Sequence, residues 1–176
     1  MKKFESENLI IRSSRKEDIE LFYEWEQKPE VTEFFSIRDG QTMDDVIEKY
    51  ESDEEDPSAE QFTICLKDDT PIGRIVLADI IEGWKGEIWR IYIADTSLRG
   101  KGYGKEAMKV MMKYCFEELD FQRLYLDHYT GNPASYLYLS LGFKYEGVLR
   151  KNCRKNGILY DVHLMSMLRD EYEELK

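Results

Sequence analysis

Leu98-Arg99-Gly100-Lys101-Gly102-Tyr103-Gly104 joins an apolar strand, Ile88 to Ile93, to an amphipathic helix that begins near Lys105. A glycine-rich turn feeding a helix offers unpaired backbone N–H groups and the positive end of the helix dipole, which suits a pyrophosphate. Lys105 stands where the third glycine of G-x-G-x-x-G would be, so the stretch is not a dinucleotide fingerprint. No Gly-Lys-Ser/Thr follows the turn, which excludes a P-loop. What remains is Arg99-x-x-Gly102-x-Gly104 between a strand and a helix.

Upstream of the loop the pattern predicts a short strand, Asn8 to Arg12, and then a helix opened by a Ser14/Glu17 capping box and closed before Pro29. A second helix begins after Thr42 and carries Val46, Ile47 and Tyr50, placing helices over about residues 14–50. Glu51 to Glu60 is charged and poor in apolar residues, and reads as an exposed acidic loop. Phe62–Leu66, Ile72–Ile81 and Glu87–Ile93 form a meander with turns at Asp68-Asp69 and Gly83–Gly86.

Downstream, the helix from Lys105 to Leu119 carries an apolar stripe of Ala107, Met108, Met111, Met112 and Cys115. A strand, Leu124 to His128, precedes a helix that starts at Asn132-Pro133 and stops at Gly142. Phe143 to Arg154 and Ile158 to Leu168 form a hairpin around Asn156-Gly157. An antiparallel meander followed by alternating strands and helices makes the class mixed α/β, in a single domain over 1–176.

Composition narrows the function classes. The chain of 176 residues carries a net charge of -11, and residues 1–60 hold 19 acids against 8 bases, while residues 61–176 hold 17 of each. So acidic a chain is unsuited to nucleic acid, which is held by phosphate neutralisation. A cationic partner suits it better. No apolar run has the length of a membrane span, and Met1–Glu7 lacks the apolar stretch of a secretory signal, so no membrane partner is expected and the expected compartment is the cytoplasm. Cys65, Cys115 and Cys153 lack metal-like spacing and read as reduced thiols, and neither His128 nor His163 has a partner at metal or triad spacing.

Three landmarks in order, Arg99 to Gly104, Leu137-Tyr138-Leu139-Ser140-Leu141-Gly142-Phe143, and the hairpin from Gly142 through Asn156-Gly157 to Val162, resemble the GCN5-related N-acetyltransferases. The hairpin is similar to the branch of ribosomal-protein N-terminal acetyltransferases and spermidine acetyltransferases. The resemblance implies a single-domain acyl-CoA N-acyltransferase fold, a mostly antiparallel sheet of about seven strands flanked by about four helices. Its acetyl-CoA core would span about residues 87–143 and its closing hairpin about 143–168.

By that resemblance, acetyl-CoA is the co-substrate and no metal is required. The backbone of Ile91, Tyr92 and Ile93 would hold the pantetheine arm as an added strand. Arg99, Gly100, Lys101, Gly102, Tyr103, Gly104 and Lys105 would hold the phosphates, with Asn132 and Tyr138 completing the cofactor site. An alkyl amine with a pKa of about 10.4 is protonated at neutral pH, so a base must take its proton before it can attack. Asp127 is the first candidate base and Glu87 the reserve. Tyr138 is the candidate acid at the departing thiolate; Tyr136 points to nearly the opposite side of the same helix, so only one of the two can serve.

The acidic first third would form the acceptor side, where Glu30, Glu33, Phe34 and Phe35 suit a cation through ion pairing and cation–π contact. The expected acceptor is a polyamine or another small cationic amine, with a peptide N-terminus as the alternative. A catalytically inactive acyl-CoA sensor or interaction module is the reading from another class. The hairpin could pair subunits into a homodimer or larger homo-oligomer.

Overall fold

The Ile-, Val- and Phe-rich runs in the middle of the chain form the meander that their alternation predicts: β3 (Glu60–Leu66), β4 (Pro71–Ile81) and β5 (Lys85–Ile93). The computed structural model describes residues 1–176. Ahead of the meander lie β1 (Lys3–Glu5) and β2 (Leu9–Ser13); after it come β6 (Arg123–Tyr129), β7 (Lys144–Lys155) and β8 (Ile158–Leu168). All eight join one sheet in the order β1-β2-β3-β4-β5-β6-β8-β7. Every neighbouring pair is antiparallel except β5 with β6.

Six α-helices flank the sheet: α1 (Ile19–Trp25), α2 (Pro29–Thr32), α3 (Met43–Glu55), α4 (Tyr103–Lys113), α5 (Ala134–Leu141) and α6 (Arg169–Glu174). The mixed, mostly antiparallel α/β class is as expected, with eight strands and six helices in place of seven and four. The additional elements, β1, α2 and α6, have three to six residues each, too short to display a period in the sequence.

Two local expectations are corrected. The acidic stretch 51–60 is not a loop throughout, since α3 continues to Glu55 and Glu60 opens β3. Thr42 and Asp45 cap the start of α3 reciprocally, and Lys49 pairs with Asp53 one turn on, so a charged sequence is helical through its local pairs. The box at the first helix uses Asp18 rather than Glu17. Asp18 accepts from the Arg15 N–H at 2.8 Å and from both Arg12 guanidinium nitrogens, while Ser14 Oγ instead meets Thr63 Oγ1 at 3.0 Å.

The main core lies between the sheet and α4, α5 and α6. Ala107, Met108, Met111 and Cys115 are fully buried there against Leu124, Leu126, Phe143 and Met165. Each buried Met, Leu or Phe contributes about 1.5–3 kcal/mol through burial. A second core on the opposite face joins Phe22, Trp25, Val31, Val46 and Tyr50 to Tyr92 and Ala94.

One irregularity in β5 positions the site. Val76 pairs with Arg90 and Leu77 with Ile88, so Trp89 is an extra, bulged residue. The bulge lets Ile88, Ile91 and Ile93 pack toward the main core while Arg90 and Tyr92 are buried on the other face. A bulge also bends its strand. Pairing between β5 and β6 stops at Glu87 with Tyr125, and from Ile88 to Ile93 the β6-facing edge of β5 is unpaired.

Candidate active site

Gly100 and Gly102 adopt φ of +78° and +81°, conformations that a side chain makes costly, and Gly102 caps α4 without a side-chain acceptor. The backbone N–H groups from Gly100 to Lys105 have no acceptor within the protein, and they sit at the positive end of α4. Arg99 donates from Nη2 to the Glu30 carbonyl at 2.7 Å, which ties this loop to α2.

A cleft of about 610 Å³ runs from the loop along the unpaired edge of β5 to the start of α5. Of the residues expected at the cofactor, Ile91, Tyr92, Ile93, Arg99, Gly100, Gly102, Tyr103, Gly104, Lys105, Asn132 and Tyr138 line it; Lys101 does not. Glu30, Glu33, Phe34 and Phe35 line the same cleft, so the residues expected to meet the acceptor and those expected to meet the cofactor share one space. Asn132 opens α5 by accepting the Ala134 N–H at 2.9 Å.

A second, smaller chamber of about 90 Å³ continues from this cleft through Phe34, Phe35, Ile91, Asn132 and Tyr138. Asp127, His128, Ser36, Trp89, Arg90 and Cys153 line it too, with Ile88 and Tyr129. Tyr138 is only 7% exposed, against 77% for Tyr136, so of the two tyrosines only Tyr138 reaches either space. Burial, with Asp127 adding to it, pushes the Tyr138 phenol up to about 12.

Glu87 and Asp127 lie on the two strands that part here. Burial raises the Glu87 carboxyl to about 7, helped by the charges of Asp127 and Asp79. Burial raises Asp127 as well, with His128 opposing. Asp127 lines the chamber and Glu87 does not. His128 donates from Nδ1 to the Tyr129 carbonyl at 3.1 Å, which leaves a buried, unpartnered Nε2 in the chamber wall. Burial lowers its pKa.

Sequence reasoning passed over Ser36, Trp89 and Arg90, and gave His128 and Cys153 no place in the site. For Arg90 a signal was present: a charged residue inside the apolar run Ile88-Trp89-Arg90-Ile91-Tyr92-Ile93 must be exposed, paired or functional. Arg74, within Ile72-Gly73-Arg74-Ile75-Val76, carries the same signal. For the others, periodicity and spacing offered none.

Residues 8–144 match the family described as the acetyltransferase (GNAT) domain. An uncharacterized N-acetyltransferase of the Bacillus subtilis SPbeta prophage is 30% identical, over 95% of this chain and 93% of that protein. The spermidine N(1)-acetyltransferase of Vibrio cholerae is 24% identical, over 93% of this chain and 95% of that protein. A crystal structure of spermidine N-acetyltransferase from Vibrio cholerae with CoA and spermine superposes with a TM-score of 0.83 at 24% identity, covering 94% of this chain and 98% of that one. At that identity the superposition is a likeness of fold.

Proposed function

The chain belongs to the GNAT family of acetyltransferases, and is an acyltransferase by that membership; from that premise we propose that it moves an acetyl group from acetyl-CoA to a primary alkyl amine by direct attack of the amine on the thioester. The observation that carries the proposal is the parting of β5 from β6. It leaves an unpaired strand edge that runs from a loop of free N–H groups to Tyr138 and the carboxylates. A pantetheine arm carries amides that can pair with such an edge as an added strand would, and the loop amides of Gly100 to Lys105 suit the pyrophosphate.

Acetyl-CoA supplies the activated acyl group. The chain supplies proton management. An ammonium near 10.4 loses its proton to a carboxyl at about 7 for about 5 kcal/mol, against about 8 kcal/mol for an ordinary glutamate. That match moves Glu87 ahead of Asp127 as the proton acceptor, reached through a water because Glu87 does not itself line the chamber. Asp127, in the wall, holds the incoming ammonium and keeps the Glu87 pKa high. Full proton transfer from Tyr138 at about 12 to a thiolate near 8.5 would cost about 5 kcal/mol, so Tyr138 acts as a hydrogen-bond donor to the departing sulfur.

The acceptor arrives as a cation. Glu30 and Glu33, beside Phe34 and Phe35, offer it carboxylates and aromatic faces at the cleft. A polyamine is the acceptor that the Vibrio cholerae relative supports. The test is a coupled assay for thiol release with acetyl-CoA and a panel of spermidine, spermine and neutral amines. Faster, salt-sensitive transfer to spermidine and spermine assigns the acceptor to the polyamines; equal rates insensitive to salt remove the polyamine and leave the transferase standing, and no thiol release with any amine removes the transferase.

A further inference from the structure

Beyond the reaction chamber lies a third cavity of about 360 Å³, entered past Ser36, Trp89 and Arg90, which both spaces share. It sits among α1, α3 and the faces of β4 and β5 opposite the main core, on the side of the chamber away from the phosphate loop. Its charge is opposite in sign to that of the chain. Arg38, Lys49, Arg74 and Arg90 line it with only Glu26 and Asp45 as acids.

The charges do not cancel. Arg38 pairs with Asp45, and Lys49 with Asp53. That leaves Glu26 to serve two arginines. Arg74 Nη1 donates to it at 3.2 Å and Arg90 Nη1 at 2.8 Å, and all three side chains are buried. The other Arg74 terminal nitrogen goes to the neutral Gln61 amide oxygen at 2.8 Å. One positive charge is therefore buried without a counter-charge, which costs several kcal/mol unless something compensates it.

Two donors on residues that line this cavity are also unused. Arg74 Nε, on a side chain 1% exposed, and Gln41 Nε2 are both buried and neither has an acceptor. Leaving such a donor unmade costs about 1–3 kcal/mol. An excess positive charge and two orphan donors around one space call for the same occupant, an oxyanion.

We propose that this cavity is an oxyanion subsite for the acceptor: the amine enters the reaction chamber while a carboxylate on the same molecule seats against Arg74, Arg90 and Gln41. The proposal rests on the acetyltransferase reading and narrows it. A polyamine would bring an ammonium to a cationic cavity, whereas an amino carboxylate satisfies both ends. The carboxylate accepts from Arg74 Nε and Gln41 Nε2 and neutralises the unpaired arginine.

The test compares ω-amino carboxylates with diamines of the same chain lengths, using 1-aminoalkanes as the reference that carries no second charged group. At its best length the amino carboxylate should show a kcat/KM at least tenfold above the 1-aminoalkane, and the diamine should fall below it. Gln41→Leu, which removes one donor without touching the buried ion pairs, should cut that advantage over the 1-aminoalkane severalfold. Diamines equal to or better than the amino carboxylates overturn the proposal while the transferase reading stands. Transfer to none of the amines removes that reading, and this one with it. Thermal stabilisation by sulfate without a preference between the series assigns the cavity to a free anion and overturns the substrate assignment. An advantage that Gln41→Leu leaves intact places the carboxylate elsewhere and overturns it too.

Discussion

Replacing Glu87 by glutamine should stabilise the fold and slow the reaction, and both effects follow from one carboxyl. Burial raises Glu87 from 4.5 to about 7, so the folded protein holds this proton more tightly than the unfolded chain does. A raised acid contributes its stability below the unfolded value and loses it as pH climbs through the folded one, here between about 4.5 and 7. Above pH 7 the ionised Glu87 costs the fold about 3 kcal/mol, and a neutral amide of the same shape does not bear that cost. Glu87→Gln should therefore gain up to about 3 kcal/mol at pH 8, a rise in Tm of about 6–12 °C for a chain of this size, and almost nothing at pH 4.

The same raised pKa brings the base closer to the ammonium. Without it, kcat/KM should fall by about 10²- to 10⁴-fold, and the inflection near pH 7 should disappear from the pH profile. Thermal or urea unfolding at pH 8 and pH 4, paired with initial rates from pH 5.5 to 9, measures both. A glutamine variant no more stable than the parent at pH 8, or equally stabilised at both pH values, refutes the burial argument. A variant that keeps the inflection near pH 7 refutes the assignment of the base.

Asp127→Asn removes the negative charge that helps to raise Glu87, so the acid limb of kcat/KM should move below pH 7, read from the same rate profile; an unmoved limb uncouples the two carboxyls. Tyr138→Phe should lower turnover at least tenfold and Tyr136→Phe should not, because only Tyr138 lines the cleft, and the reverse result in steady-state kinetics would move the assignment. Gly102→Ala places a side chain at φ of +81°, at a strain of about 1–2 kcal/mol, and disturbs the run of free N–H groups. Its Kd for CoA by calorimetry should rise at least tenfold while the fold survives; unchanged affinity would take the phosphates away from this loop.

The elements legible beforehand are those whose cause is local. Asn156-Gly157, Gly142 and Asn132-Pro133 act through backbone preferences and hydrogen bonds that span a few residues, and each marks the boundary expected of it. The loop from Leu98 to Gly104 belongs with them, since its free N–H groups follow from where α4 starts. Charge misled where it was read as loop: Glu51 to Glu55 is helix, because Lys49 with Asp53 and the buried Tyr50 outweigh the polarity of the segment. β1 and α6 are too short for any period, and contacts that the rest of the fold supplies hold them.

The sequence by itself determined the mixed α/β class, the glycine-rich loop at the head of α4 and the fact that Tyr136 and Tyr138 face opposite ways, because turns, caps and helix faces depend on neighbours within about one helical turn; burial then chose Tyr138. Only the tertiary structure decided the rest. The bulge at Trp89, visible only in register with β4, frees the edge of β5. Glu87 gains its high pKa from burial and from charges on β4 and β6. The sign of the far cavity is the clearest case. Summed along the chain, the first sixty residues are strongly acidic, yet the buried Arg74 and Arg90 reach beneath their helices from β4 and β5 and line this cavity with positive charge. Charges on an exposed face are screened by water, whereas those that line a cavity are not, so the potential a ligand meets is set by which side chains the fold encloses.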